Sequence, residues 1–239
     1  MSKSSGILRI CEEKGIKMID FKMTDLSGRW RHITIPVERF DDGIFTQGIG
    51  FDGSNYGYAP VEKSDMVFIP NPETAVVDPF TEIPTLTMCG DVCVIGKENR
   101  PFDQYPRNVS LRAIEYMKEQ GIADQMLIGP EFEFHLFDSA GWAVKPGEIS
   151  AAVDSAQAPW NSDSEGLGWN SGRESADNKG FQVPGGGGYH IAAPQDVAYN
   201  LRSRMCMMLQ DWGVDVKYHH HEVGGSGQME IEVELGDMV

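Results

Sequence analysis

No run of about 18 apolar residues, the length a membrane-spanning helix needs, occurs in the 239-residue chain. Its first residues, MSKSSGILRI, contain none of the apolar core of a secretion signal. The expected location is therefore the cytoplasm, with no membrane partner. Basic residues are scarce: 20 Lys and Arg face 36 Asp and Glu, for a net charge of -16. That balance disfavours nucleic acid as a partner and favours cations. Cysteine is scarce too, with Cys11, Cys89, Cys93 and Cys206 widely spread. Cys89 and Cys93 alone lie close together, in the extended apolar run TLTMCGDVCVIG, and no second pair completes a zinc site, so two core thiols are expected there. A G-x-x-x-x-G-K-[ST] phosphate loop is also missing, which excludes a P-loop enzyme, and no internal repeat is visible.

What is present reads in two parts. With 41% hydrophobic residues the chain can bury a core as one large or two small domains. Between Lys17 and Lys97, short apolar runs (MIDFKMTD, RHITIPV, MVFIPNP, TLTMCGDVCVIG) alternate with Gly, Pro and Asp turns, the pattern of a small β-rich domain. Farther on, NVSLRAIEYMKEQG aligns Val109, Ala113, Tyr116 and Met117 along one helical face and ends at Gly121. VAYNLRSRMCMMLQDW aligns Val197, Leu201, Met205, Met208, Leu209 and Trp212, with its methionines expected as core filling. The Gly-, Ser- and Asn-rich stretch from Asp138 to Gly188, which contains two Trp-Asn pairs and leads into PGGGGYH, reads as a long surface loop or flap.

The chemistry sits on acidic strands. In LIGPEFEFHLF, strict alternation points Glu131, Glu133 and His135 to one face, with the two carboxylates roughly 6.5 Å apart by strand rise. In the closing stretch, VDVKYHHHEV and MEIEVEL both alternate and are joined by GGSG, so a hairpin can bring Glu222 to Glu230. If both acidic segments share one sheet, four or more carboxylates converge. Such a set suits the hard ions Mg²⁺ or Mn²⁺ rather than zinc, and so suggests phosphoryl chemistry. In the run His219-His220-His221, at most His219 and His221 can point the same way.

Taken together and in order, FDGSNYGYAPVEKSDMVFIPNPETAVVDPF, GPEFEFHLFD, GGGGYHIAAPQD and YHHHEVGGSGQMEIEVE resemble the type I (bacterial) glutamine synthetases, over essentially the whole chain from Lys17. The resemblance implies an α+β fold: a small β-grasp-like N-terminal domain (1–103), then the first part of an antiparallel-sheet catalytic domain (104–239), truncated relative to the family. It implies the reaction of glutamate, ammonium and ATP to glutamine, ADP and phosphate through γ-glutamyl phosphate, with two Mg²⁺ or Mn²⁺ ions per complete site. Carried over, Glu133, Glu222 and Glu230 would hold the ion nearest glutamate, and Glu131 would contribute to the second. Asp52 would act across a subunit interface, binding ammonium and accepting its proton, within a homo-oligomer expected to be a dodecamer. Tyr189 would lie near nucleotide and glutamate. Position 217, often a nucleotide-contacting glutamate in the family, is Lys217 here.

Glu232 and Glu234 match no ligand role and are expected as solvent-facing charges; the histidines and His135 are expected to be supporting or structural. The family's Gly-rich ammonia-site loop, its histidine and glutamate ligands of the second metal, and its substrate-binding arginines have no counterpart in this sequence. The chain alone is therefore expected to be inactive. Two alternatives stand beside this reading: a γ-glutamyl ligase for a larger amine, and a non-catalytic oligomerisation or regulatory fragment.

Overall fold

The computed structural model describes residues 3–159 and 182–239. Both Trp-Asn pairs of the long loop, at 160–161 and 169–170, lie outside the described residues. Backbone contacts group the chain into two compact units, one reaching Met126 and including Met238 and Val239, the other running from Leu127 to Asp237.

In the first unit, helix α1 (Lys3–Lys14) precedes β1 (Met18–Thr24) and β2 (Trp30–Pro36). A short helix α2 (Ile44–Gln47), β3 (Ile49–Asp52), β4 (Asp65–Pro70), β5 (Val76–Asp78), β6 (Thr85–Val94), β7 (Arg100–Pro101) and α3 (Pro106–Glu119) follow. The four apolar runs of the sequence became β1, β2, β4 and β6. The sheet runs β2-β1-β6-β4-β3, with β5 and β7 also pairing with β6. Strand β1 lies parallel to β6 and antiparallel to β2. Because β6 is central, it is buried on both faces, and this is why TLTMCGDVCV is apolar without alternation. Ile19, Phe21 and Met23 of β1 pack with Phe68, Leu86, Met88 and the α1 residues Ile7 and Cys11. Cys93 is buried and Cys89 half-buried, both as free thiols whose pKa burial pushes up. This bears out their reading as core residues.

In the second unit, β8 (Leu127–Ile128) pairs with β14 (Gly236–Asp237), while β12 (Val216–His221), β13 (Gln228–Val233) and β9 (Glu131–His135) form an antiparallel sheet in the order β12-β13-β9. Helix α4 (Tyr199–Asp211) contacts β12 and β13.

Three expectations need correction. The stretch after Asp138 is not all loop: β10 (Ser139–Lys145) and β11 (Glu148–Asp154) form a hairpin in full antiparallel register. Its turn is Pro146-Gly147, with Gly147 at φ 80°, and Trp142, Val144 and Ile149 stand exposed. The inward face of α3 is not the expected one, since Val109 and Tyr116 are exposed while Asn108 is buried and donates to the carbonyls of Val92 and Phe102. On α4, Leu201 is exposed and the methionines at 205 and 208 are only partly covered. The buried positions are Arg202 and Cys206.

Candidate metal centre

Strand pairing aligns the acidic residues in rows. Glu230 lies directly opposite Glu133 on one side and His220 on the other, and Glu232 lies opposite Glu131 and Tyr218. One face of the sheet therefore carries Glu131, Glu133, Glu230, Glu232, His220 and Tyr218. The opposite face carries Phe132, Phe134, Met229 and Ile231 with His219 and His221. Like charges placed directly across a sheet repel, and a cation among them would relieve that repulsion.

The connection between β12 and β13 fixes Glu222. Its backbone N–H donates to the Gln228 carbonyl at 2.9 Å. Gly224 donates to the Gln228 side chain, whose amide nitrogen in turn donates to Glu133 at 2.8 Å. A Cβ on Gly188 would collide with the Glu222 carbonyl and the His221 ring, so only glycine fits where PGGGGYH passes this corner. Gln157, almost fully buried, accepts from the Gly227 N–H at 3.0 Å and lies 3.2 Å from His221 Nε2, which ties the segment after β11 to the same turn.

Two groups of ligand atoms come within 4.8 Å of one another: His220, Glu222 and Glu230, and Glu131, Glu230 and Glu232. Glu230 belongs to both. Glu222 and Glu230 are each only 6% exposed. Among the described residues, Glu222 Oε2 is the one buried side-chain oxygen with no hydrogen-bond partner, a state that costs about 1–3 kcal/mol or more for a charged group. Burial pushes the Glu230 carboxyl above its ordinary range; Glu222, Glu131 and Glu133 add to this and His220 opposes it. Oxygen donors, negative charge and an orphaned buried carboxylate oxygen all fit a hard divalent ion.

Of the expected ligands, Glu222, Glu230 and Glu131 thus fall into the two groups. Glu133 lies beside them, held by Gln228. Tyr189 stacks on His190 with ring centroids 3.8 Å apart, and His190 meets His220 edge-on at 4.3 Å. Of these rings, His220 is the one that meets a carboxylate, that of Glu230. Lys217 forms an ion pair with Glu232 at 2.6 Å. Glu232, expected as a solvent-facing charge, is therefore corrected to a member of the acidic face; Glu234 is exposed as expected.

His220 was not singled out from the sequence as the histidine facing the carboxylates. Its Nε2 lies 3.5 Å from Glu230, whereas His219 and His221 share the opposite face. There, Arg202 on α4 donates to His219 Nδ1 at 3.1 Å and pairs with Asp196 through two bonds, at 2.9 and 2.5 Å. Burial and the Arg202 charge lower the His219 pKa.

Asp52 belongs to the first unit, at the end of β3. It is exposed and caps the turn that follows, accepting from Ser54 N at 2.8 Å and Ser54 Oγ at 2.6 Å. These bonds hold its pKa below the ordinary value.

Comparison with known proteins matches this architecture. The glutamine synthetase β-grasp domain matches residues 15–95, and the glutamine synthetase catalytic domain matches residues 103–239. Glutamine synthetase of Pasteurella multocida is 38% identical over 230 residues, covering 95% of this chain and 46% of that protein. The Azotobacter vinelandii enzyme is 38% identical over 240 residues, covering 100% and 49% respectively. A Cupriavidus pinatubonensis protein named 3-hydroxylaminophenol mutase is also 38% identical, over 98% of this chain and 48% of its own length. The solved structure of Plasmodium falciparum glutamine synthetase superposes with a TM-score of 0.80 at 22% identity, covering 99% of this chain and 45% of that one, a likeness of fold. The chain spans about half the length of the curated relatives it matches. With its β-grasp sheet, its acidic three-stranded sheet and both domain matches in order, the chain belongs to the glutamine synthetase family.

Proposed function

We propose that this chain carries the acidic ligands of an ATP-dependent carbon–nitrogen ligase that joins ammonium to glutamate through γ-glutamyl phosphate. Its domains are taken as 1–103 and 104–239, a division that the two family matches support. The observation that carries the reading is the buried, unpartnered Glu222 Oε2 beside Glu230, in a row of opposed carboxylates.

Glu222, Glu230 and Glu133 hold the first ion, and Glu131 contributes to the second. A bound Mg²⁺ or Mn²⁺ supplies charge neutralisation at phosphoryl oxygens, which an acidic pocket would otherwise repel. Gln228 orients Glu133, and His220 steadies Glu230. Tyr189, stacked on His190, offers a ring to the nucleotide and glutamate. Asp52, whose depressed pKa keeps it ionised, helps bind ammonium and takes its proton in an assembly that shares sites between subunits. Glutamate, ammonium and ATP are the substrates, and a homo-oligomer is the working form.

The first test is calorimetric titration of the 239-residue chain with Mn²⁺. Binding that disappears in Glu222→Gln and Glu230→Gln supports the centre; binding indifferent to both variants removes it. The second is γ-glutamyl transfer from glutamine to hydroxylamine. The chain alone is expected to give none, and product above background would overturn its proposed inactivity. The relative named as a mutase is as similar to this chain as the synthetases are, so identity does not separate the two chemistries. Turnover of 3-hydroxylaminophenol without ATP would favour the mutase reading, and a preference for a larger amine over ammonium would favour the alternative ligase.

A further inference from the structure

The buried carboxylate of Glu222 is placed by the chain on either side of it. After a β-bulge at Lys217, which leaves Val216 opposite Val233 and Tyr218 opposite Glu232, β12 ends with His221 opposite Met229, and Glu222 is the first residue beyond the strand. A charged side chain at the start of a turn ordinarily swings toward water, yet this one is buried and keeps Oε2 without a hydrogen-bond partner among the described residues. The turn is therefore held from outside itself.

Gln157, 1% exposed and distant in sequence, reaches both ends of that turn with one atom. Its Oε1 accepts from the Gly227 N–H at 3.0 Å and lies 3.2 Å from His221 Nε2. The amide cannot turn round: a backbone N–H only donates, so the oxygen must face Gly227, while Nε2 donates to the Gln195 carbonyl. On the far side of the His221 ring, Nδ1 lies 2.9 Å from the Glu222 carbonyl. Gly227 is also fixed at its own carbonyl, which accepts from Leu136 N at 2.8 Å, just past β9. The backbone of Gln157 brings in a third segment, its carbonyl accepting from Val183 N at 2.9 Å, and Ser226 Oγ donates to the Val183 carbonyl at 2.9 Å.

We propose that Gln157 is a positioning residue for the metal centre: by tying His221 to Gly227 it holds Glu222, which lies between them, in place to meet a divalent ion, although it offers that ion no ligand atom. The inference rests on the metal-centre reading above. Loss of Oε1 leaves the buried Gly227 N–H unsatisfied and the His221 ring unsupported, so the turn opens to regain water and carries Glu222 outward. Coupling of this kind is reciprocal: bonds that favour ion binding are in turn strengthened by the bound ion.

Two measurements on the 239-residue chain test this. Mn²⁺ affinity, read by electron paramagnetic resonance of free Mn²⁺, should fall about tenfold or more in Gln157→Met, which keeps the side-chain length but has no acceptor oxygen, with circular dichroism as the check on folding. In the wild-type chain, saturating Mg²⁺ should slow hydrogen exchange about tenfold at the Gly227 and Val183 amides, both bonded to Gln157, and should leave them unchanged in Glu222→Gln. The exchange measurement needs no Gln157 variant and so decides the matter if Gln157→Met does not fold. Wild-type binding with equal affinity in folded Gln157→Met, or wild-type amides indifferent to Mg²⁺, would overturn the positioning role while leaving the metal centre standing. Absence of Mn²⁺ binding by the wild-type chain would overturn both.

Discussion

Glu230 on β13 pairs directly with Glu133 on β9, two carboxylates set opposite each other in an antiparallel ladder with Glu230 almost fully buried. A sheet selected only for stability would avoid this pair. Glu230→Gln should therefore raise the melting temperature of the metal-free chain, by roughly 2–4 °C, and abolish the rise that Mn²⁺ gives the wild type. Differential scanning calorimetry with and without Mn²⁺ reads both effects. A lower metal-free Tm in the variant would show that Glu230 is held by something other than a cation.

The pH dependence of stability follows from the same residue. Burial raises the folded-state pKa of Glu230 above its unfolded value, so folding favours the protonated form. Its contribution is fully present below the unfolded pKa, near 4.3, and is lost as pH rises through the raised folded value. Metal-free Tm should decline across that interval, and the decline should flatten with saturating Mn²⁺ or in Glu230→Gln. An equally steep decline in Glu230→Gln would assign the dependence to other groups.

Asp25 predicts the opposite slope at the acid end. Its carboxylate accepts from Ser27 N and Oγ, Arg29 N and Arg31 Nε at 2.7–3.0 Å, and these bonds hold its pKa well below the usual carboxylate range. A depressed folded pKa stabilises above the unfolded value, about 3.9, and this stabilisation fades as pH falls below it. Asp25→Asn should melt lower than wild type at neutral pH, and the gap should narrow in acid. Constant spacing between the two melting curves over pH 2–7 would contradict this.

Arg202, 1% exposed, is paired with Asp196 behind the acidic sheet. Removing one partner of a buried pair leaves the other uncompensated, at a cost of about 3–5 kcal/mol. Arg202→Met should lose about that much in urea unfolding, and adding Asp196→Leu should restore part of it. A double variant no better than the single would mean that the Arg202 contacts to His219 and Met229 dominate.

Gly188→Ala should weaken Mn²⁺ binding although position 188 offers no ligand atom. The added methyl meets the Glu222 carbonyl and the His221 ring, so the turn must shift and carry the Glu222 carboxylate with it. Unchanged Mn²⁺ affinity would show that the PGGGGYH segment yields instead.

Much of the fold was legible in the sequence because periodicity survives folding. The alternation of Glu131 and Glu133 with Phe132 and Phe134, and of Glu230 and Glu232 with Ile231 and Val233, correctly put four carboxylates on one face. Legibility ended where the rule of two breaks. The extra residue in β12 has no signature in the letters VKYHHH, so the partnership of Lys217 with Glu232 came only from the register. The β10–β11 hairpin was hidden by its composition: Gly, Ser and Ala dilute the alternation of Trp142 with Val144, and those apolar side chains face outward. Hydrophobic periodicity also misread α4, since its most buried side chain is an arginine whose charge is met by Asp196.

A bulged residue stands outside the ladder of strand pairs, and this gives position 217 an unusual freedom. Between Val216, which pairs with Val233, and Tyr218, which pairs with Glu232, it has no partner of its own on β13, and a change there alters the charge facing Glu232 without shifting the register. Deleting it would join Val216 directly to Tyr218 and leave a regular ladder, with Val216 still opposite Val233 and Tyr218 still opposite Glu232. The position lies outside the ladder, a place where drift can adjust the charge of the acidic face while the sheet beneath stays the same.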